Sequence, residues 1–281
     1  MQWLRRENAT QRAAMERKRR TAPSIAAMKK AGETIAVLTA YDWMTAKLVD
    51  AAGVDAILVG DSAAMVVLGH ENTLPVTLDE MVMLTAAVAR ARTSALVVGD
   101  MPFMSYQASA ADAVRAAGRM VKDGGAGAVK LEGGRKVTRA IEAVLDAGIP
   151  VMGHIGLTPQ SIHELGGYRV QGKNEKTRGR LMEDARALEE TGCFSMVLEA
   201  MPWQVAKDIT EAVSIPTIGI GAGPHCDGQV LVINDIIGYT DGPLPKFVRR
   251  YGDAGKVVSE AAEAFVRDVK SGAYPDLEES Y

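Results

Sequence analysis

From residue 34 onward, short apolar runs alternate with longer stretches in which apolar residues recur at helical spacing. The apolar runs predict strands at 34–41, 56–61, 95–100, 127–132, 150–155, 195–199, 216–221 and 229–233. The stretches 45–52, 78–92, 110–123, 136–147, 178–191 and 203–212 between them predict amphipathic helices. Repeated strand–helix units of this size imply a parallel sheet, either a (β/α)8 barrel or an open doubly wound sheet. Eight strands in 281 residues favour a single-domain α/β fold of the TIM-barrel class. One interval resists, because 221–228 has no room for a helix. Either that unit is degenerate or the eighth strand is misplaced. Ser24 is expected to cap a first helix over 25–30, 255–271 to form a long closing helix, and 272–281 to be a tail.

The strand ends carry charge. In the run Ala126-Gly-Ala-Val-Lys-Leu-Glu-Gly-Gly134, Lys130 and Glu132 are two apart and share a face, opposite Val129 and Leu131. Two charges on the inner face of a buried strand are costly unless they bind something. The runs Ala56-Ile-Leu-Val-Gly-Asp61 and Ala95-Leu-Val-Val-Gly-Asp100 each close on an aspartate. In a barrel the C-terminal strand ends face the active site, so Asp61, Asp100, Lys130, Glu132, His154 and Glu199 are expected to converge there.

Each residue has a plain alternative. Asp61, Asp100 and Glu132 could supply oxygen ligands to a hard cation such as Mg²⁺, or be solvated strand ends. Lys130 is either an internal partner of Glu132, an ammonium for a substrate carboxylate or enolate, or a Schiff-base lysine. The electrostatic role fits best beside a metal. His154 is a core histidine, a metal ligand or a substrate contact. Glu199 is the acid not needed for the metal, and so the candidate general base. The glycine-rich stretches 62–75 and 153–172 follow strands and have the length of functional loops. Gly219-Ile-Gly-Ala-Gly223 lacks the full dinucleotide-binding spacing and fits a tight strand-end turn.

Composition narrows the class. With 47% hydrophobic and 24% charged residues and a formal charge of −3, nothing implies a nucleic-acid or anionic-membrane partner. No apolar stretch approaches the roughly 20 residues that span a bilayer. Two cysteines, Cys193 and Cys226, form neither a metal motif nor a disulfide framework. A cytoplasmic enzyme is expected. Residues 1–22 stand apart, with seven Lys/Arg against Glu7 and Glu16. They are expected to be a basic, flexible extension, with a targeting peptide or nucleic-acid arm as the alternatives, preceding a catalytic barrel over 23–281.

Taken together, several ordered segments closely resemble the ketopantoate hydroxymethyltransferase family. They include Leu38-Thr-Ala-Tyr-Asp42, Val59-Gly-Asp-Ser62, Thr73-Leu-Pro-Val-Thr77, Asp100-Met-Pro-Phe103, Val129-Lys-Leu-Glu-Gly-Gly134, Gly153-His-Ile-Gly-Leu-Thr-Pro-Gln-Ser161, Gly166-Gly-Tyr-Arg-Val-Gln-Gly172, Ile218-Gly-Ile-Gly-Ala-Gly223 and Asp227-Gly-Gln-Val-Leu-Val232. The resemblance implies a barrel of the phosphoenolpyruvate mutase and isocitrate lyase kind. It implies transfer of a hydroxymethyl group from 5,10-methylenetetrahydrofolate to 3-methyl-2-oxobutanoate in pantothenate biosynthesis, by a homodecamer. It puts Mg²⁺ ligands at Asp61, Asp100 and Glu132, keto-acid contacts at Asp61, Ser62, Asp100, Lys130 and His154, and the proton acceptor at Glu199. The basic N-terminus and the ending Glu278-Glu-Ser-Tyr281, which lacks a histidine often found there, depart from the family pattern. The rivals are a Mg²⁺-dependent carbon–carbon lyase of the isocitrate lyase type and a non-catalytic 2-oxo-acid binding protein. Neither cysteine stands in the Lys-Lys-Cys-Gly-His context of such lyases, and intact Lys130 and Glu199 argue against a mere binder.

Overall fold

A computed structural model describes residues 17–281, so most of the basic N-terminal stretch lies outside the described residues. The first compact unit extends to Val232. Its eight strands are β1 Ile35–Thr39, β2 Ala56–Val59, β3 Leu96–Asp100, β4 Ala128–Glu132, β5 Val151–Gly156, β6 Ser195–Glu199, β7 Thr217–Ile220 and β8 Gly228–Leu231. They pair in parallel in sequence order, and β8 pairs with β1 to close the barrel. The helices follow the expected rhythm: α1 Ala22–Ala31, α2 Trp43–Ala52, α3 Ala63–Val66, α4 Leu78–Ala89, α5 Ala110–Lys122, α6 Thr138–Asp146, α7 Ile162–Leu165, α8 Glu175–Thr191 and α9 Trp203–Ala212. Both faces of the sheet are buried, which is why β2 and most of β3 are apolar runs rather than alternating ones.

The barrel interior is built in layers. Ile35, Val37, Ala56, Leu58, Leu96, Val98, Ala128, Met152, Val197, Ile218 and Val230 form one apolar cluster with Ala22, Ile25 and Met28 of α1. Helix α1 therefore closes the N-terminal end of the barrel. Strand alternation carries each inner row upward from this floor. Val98 leads to Asp100, Ala128 to Lys130 and Glu132, Met152 to His154, and Val197 to Glu199. The charged residues are continuations of the core-facing rows.

Helix α1 starts earlier than its sequence suggests. Thr21, in extended backbone, is the N-cap, and Ser24 is the third helical residue completing a reciprocal capping box. Pro23 sits in the first turn, where its missing N–H costs nothing. Upstream, the Arg17 guanidinium donates to the carbonyls of Asp50 and Gly53, and Arg20 pairs with Asp55 at 2.8 Å.

The short interval before β8 is a helix-free crossover. Residues 221–227 return along β7 and dock through Asp227, whose carboxylate accepts from the Thr217 N–H at 2.8 Å and hydroxyl at 3.0 Å. The return passes so close to Gly219 that a Cβ there would lie 2.9 Å from Cys226 Sγ. The eighth strand is thus real and the unit before it has lost its helix.

The second compact unit is Ile233–Tyr281. It contains α10 Ile233–Ile236 and α11 Ala254–Ser271, and Phe265 stacks edge-on with Tyr274 at 5.6 Å. Among the described residues no helix is long and apolar enough to cross a membrane.

Candidate active site

The parallel register decides which charges meet. Asp100 is level with Lys130, and Glu132 with His154. The Lys130 ammonium consequently lies 2.9 Å from Asp100 Oδ1 and 3.6 Å from Glu132 Oε1. His154 Nδ1 lies 3.3 Å from Glu132 Oε1 and 3.2 Å from Lys130 Nζ. On the next strand, Glu199 Oε2 is 3.2 Å from His154 Nε2, close but not aligned as a hydrogen bond. Asp61 sits in the turn after β2, where its N–H donates to Asp100 Oδ2 at 3.0 Å. All six expected residues are therefore linked, either directly or through one neighbour. Ser62 bonds the Tyr41 hydroxyl at 2.8 Å at the start of the segment leading into α3.

Asp61, Asp100, Lys130, Glu132 and His154 are buried, while Glu199 is partly open. Burial alone would strip the charge from Lys130, but Asp100, Glu132 and Asp61 more than reverse this and hold it as an ammonium. Burial and the Lys130 charge oppose protonation of His154, yet Glu132 and Glu199 outweigh them and bring its pKa up to about 9. Its Nδ1 faces Glu132 and Lys130, and its Nε2 faces Glu199. Burial pushes Asp61 well up, reinforced by Asp100 and Glu132, and Asp100 is also raised. Glu132 moves down despite its burial, because Lys130 and His154 both face it. The site thus concentrates carboxylates around two cations in a setting where electrostatic contacts are strong.

The donor chemistry suits a hard divalent cation. Asp100 Oδ1 and Glu132 Oε1 are buried acceptors without an aligned hydrogen-bond donor, and Asp61 offers a further carboxylate. Among the described residues no three His, Cys, Asp or Glu side chains form a ready-made cage. Such an ion would have to complete its shell with water and substrate oxygens, as Mg²⁺ commonly does.

Two site residues carry no charge and escape a search for charged side chains. Gln160, in the turn after β5, donates its side-chain N–H to Asp61 Oδ2 at 3.0 Å and its backbone N–H to Glu132 Oε2 at 3.0 Å. Tyr106, from the loop after β3, gives its hydroxyl to Gln160 Oε1 at 2.8 Å and accepts from the Glu132 N–H at 3.1 Å. Only the loop containing Gln160 was marked in the sequence, by its length and glycines. A cleft of 810 Å³ opens beside Glu132, Tyr106 and Gln160 and is walled by Phe103, Lys136 and Arg139. Burial pushes the Cys193 thiol up to about 12 and also raises that of Cys226, which disfavours the reactive thiolate at both.

Comparison with known proteins shows the family. The profile of the family described as ketopantoate hydroxymethyltransferase matches residues 19–277. The 3-methyl-2-oxobutanoate hydroxymethyltransferase of Geobacter metallireducens is 56% identical over 264 residues, covering 94% of this chain and 99% of the relative. Among solved structures, a phosphonopyruvate hydrolase complex with oxalate and Mg²⁺ superposes with a TM-score of 0.61 at 13% identity, covering 92% of this chain and 93% of that one. A 2,3-dimethylmalate lyase of the PEP mutase/isocitrate lyase superfamily gives 0.57 at 17% identity, over 92% and 91%. At these identities the two structures speak for the fold alone.

Proposed function

The chain belongs to the ketopantoate hydroxymethyltransferase family, and from that premise we propose how its site works. The enzyme is a hydroxymethyltransferase that forms ketopantoate from 3-methyl-2-oxobutanoate. The one-carbon donor in this reading is 5,10-methylenetetrahydrofolate, with water consumed and tetrahydrofolate released. The observation that carries the assignment of roles is the buried line Asp100–Lys130–His154–Glu199, with contacts of 2.9, 3.2 and 3.2 Å.

Asp61, Asp100 and Glu132 would hold Mg²⁺, which when bound supplies Lewis-acid polarisation of the keto oxygen and makes the C3 proton more acidic. Lys130 offers a fixed positive charge to the keto-acid carboxylate and to the oxygen that becomes negative as the enolate forms. Its neighbours keep it protonated, so it acts by charge and not as a Schiff-base amine. Glu199 accepts the C3 proton, and its partial opening leaves it the carboxylate most accessible to substrate. His154 lies between Glu199 and Glu132, and Ser62 adds a hydroxyl near the keto acid. The enolate carbon then bonds to the donor's methylene carbon, and both bonds from that carbon to folate nitrogens break. Water supplies the hydroxyl group, while its second proton and the one taken from C3 go to the two nitrogens of tetrahydrofolate. The 810 Å³ cleft beside Glu132 supports a second substrate much larger than a five-carbon acid.

The test combines purified protein with 3-methyl-2-oxobutanoate, Mg²⁺ and methylenetetrahydrofolate, and follows ketopantoate. Product is expected only with all three present, and chelation with EDTA should stop it until Mg²⁺ is restored. Folded protein that makes no product, or that cleaves a carbon–carbon bond instead, would sink the assignment. The same reading makes the enzyme a cytoplasmic homo-oligomer, a decamer by family resemblance, and sedimentation velocity would measure that directly.

A further inference from the structure

Gln160 is 5% exposed, and both ends of its side-chain amide are engaged. Its side-chain nitrogen donates to Asp61 Oδ2 at 3.0 Å and to the Met101 carbonyl at 2.9 Å. Its side-chain oxygen accepts from the Tyr106 hydroxyl at 2.8 Å and from Gln107 Nε2 at 3.1 Å. The orientation of the amide is forced, because Asp61 and the Met101 carbonyl are acceptors and only an N–H can face them. Its backbone N–H meanwhile reaches Glu132 Oε2. One neutral residue therefore ties the carboxylate that follows β2 to the carboxylate that ends β4. Tyr106 locks the far side of the amide and holds the Glu132 backbone as well.

We infer that Gln160 is a positioning residue for the metal-binding carboxylates. It occupies Asp61 Oδ2 and Glu132 Oε2 with N–H donors and thereby fixes which oxygen of each carboxylate is left for a bound cation and keto acid. A neutral amide suits this task. A charged donor would compete with the cation, and an apolar side chain would leave Asp61 Oδ2 and the Met101 carbonyl buried and unpaired. Groups that orient metal ligands from behind commonly govern affinity by about 10-fold to 100-fold. The inference rests on the proposed metal-assisted reaction, but its test does not need turnover.

The test titrates wild type and Gln160→Met with Mn²⁺ and reads free Mn²⁺ by its electron paramagnetic resonance signal. Methionine keeps the length and volume of the side chain and removes both polar ends. Gln160→Met is expected to bind Mn²⁺ about 10-fold or more weakly while its circular dichroism remains that of wild type. Tyr106→Phe, which deletes one hydroxyl, should weaken binding in the same direction by a smaller factor. It carries the comparison alone if Gln160→Met does not fold. In the Asp61→Asn background, Gln160→Met should have a much smaller effect, because the carboxylate it orients is gone. A merely structural glutamine would lower the melting temperature and leave the Mn²⁺ dissociation constant of the folded protein unchanged. Equal Mn²⁺ binding by wild type and variant overturns the inference. Absence of ketopantoate formation by wild type would instead overturn the proposed function, and the Mn²⁺ comparison would still judge Gln160.

Discussion

His154 Nε2 stands 3.2 Å from Glu199 Oε2, while the other ring nitrogen stands 3.3 Å from Glu132 Oε1. One imidazole thus spans the two carboxylates that this mechanism gives different tasks. Glu132 is buried beside Lys130 and His154, whereas Glu199 is partly exposed. The parallel register of β4, β5 and β6 places the ring between them.

Loss of the base should therefore be separable from loss of substrate binding. Glu199→Gln preserves size and hydrogen-bonding capacity but cannot accept the C3 proton. Exchange of that proton in D₂O, followed by NMR with 3-methyl-2-oxobutanoate and Mg²⁺, should fall by about 10²-fold to 10⁴-fold. Keto-acid binding measured by calorimetry should persist. His154→Gln should slow exchange less, since the base remains and only its orientation suffers. Undiminished exchange in Glu199→Gln would remove Glu199 from the mechanism.

The fate of Lys130 tests the electrostatic account. Its ammonium is the partner of Asp100 and Glu132, all three being buried. Lys130→Met leaves those carboxylates uncompensated, a change that typically costs about 3–5 kcal/mol. A large fall in melting temperature is expected, together with loss of product formation. Added Mg²⁺ should restore part of the stability, because a cation can take over the lost neutralisation. Lys130→Arg should not rescue turnover, since a planar guanidinium cannot occupy the same pocket as a compact ammonium.

Much of this site was legible because the barrel converts sequence position into spatial position. Asp100, Lys130, Glu132, His154 and Glu199 sit at or near strand C-termini on inward-facing rows, and a two-residue period suffices to find them. Gln160 and Tyr106 gave no such signal. They are neutral, lie in loops and act through hydrogen bonds whose partners are 26 to 99 residues away. The same limit explains the first helix. Ser24 and Thr21 are both capping residues, and only the backbone angles of Thr21 distinguish them. The eighth strand was uncertain for a different reason, because a helix-free crossover depends on a close approach at Gly219 that composition does not encode.

The N-terminus of α4 provides a pH-dependent test away from the site. Thr77 and Glu80 form a capping box, with the Thr77 N–H donating to Glu80 Oε2 at 2.7 Å. The Thr77 backbone bond, then its hydroxyl, hold the Glu80 carboxyl below its ordinary value. A depressed folded-state pKa stabilises the protein above the unfolded carboxylate value, and the contribution is lost as pH falls through the folded value. Thr77→Ala should cost about 1 kcal/mol near neutral pH. That difference should persist largely on acidification, because alanine keeps the backbone N–H that holds Glu80. Urea midpoints of wild type and Glu80→Gln, in contrast, should converge as the medium is acidified through the carboxylate range. A constant difference between them would contradict the capping account.

Gly219 holds the clue to why the barrel closes without a final helix. The returning segment crosses β7 at this residue, where a Cβ would meet Cys226 Sγ at 2.9 Å and the Gln229 amide at 3.0 Å. The glutamine end can swing away, but Cys226 is short and its neighbour Asp227 is anchored to Thr217. Gly219→Ala should therefore destabilise the protein by about 1–3 kcal/mol, the usual cost of forcing atoms into a packed space. Cys226→Ala removes the sulfur and should recover most of that loss in the double variant. A double-mutant cycle on urea midpoints checks this, with coupling expected because the two atoms touch. Purely additive effects would mean that the strain arises against the Gln229 side chain and not against Cys226.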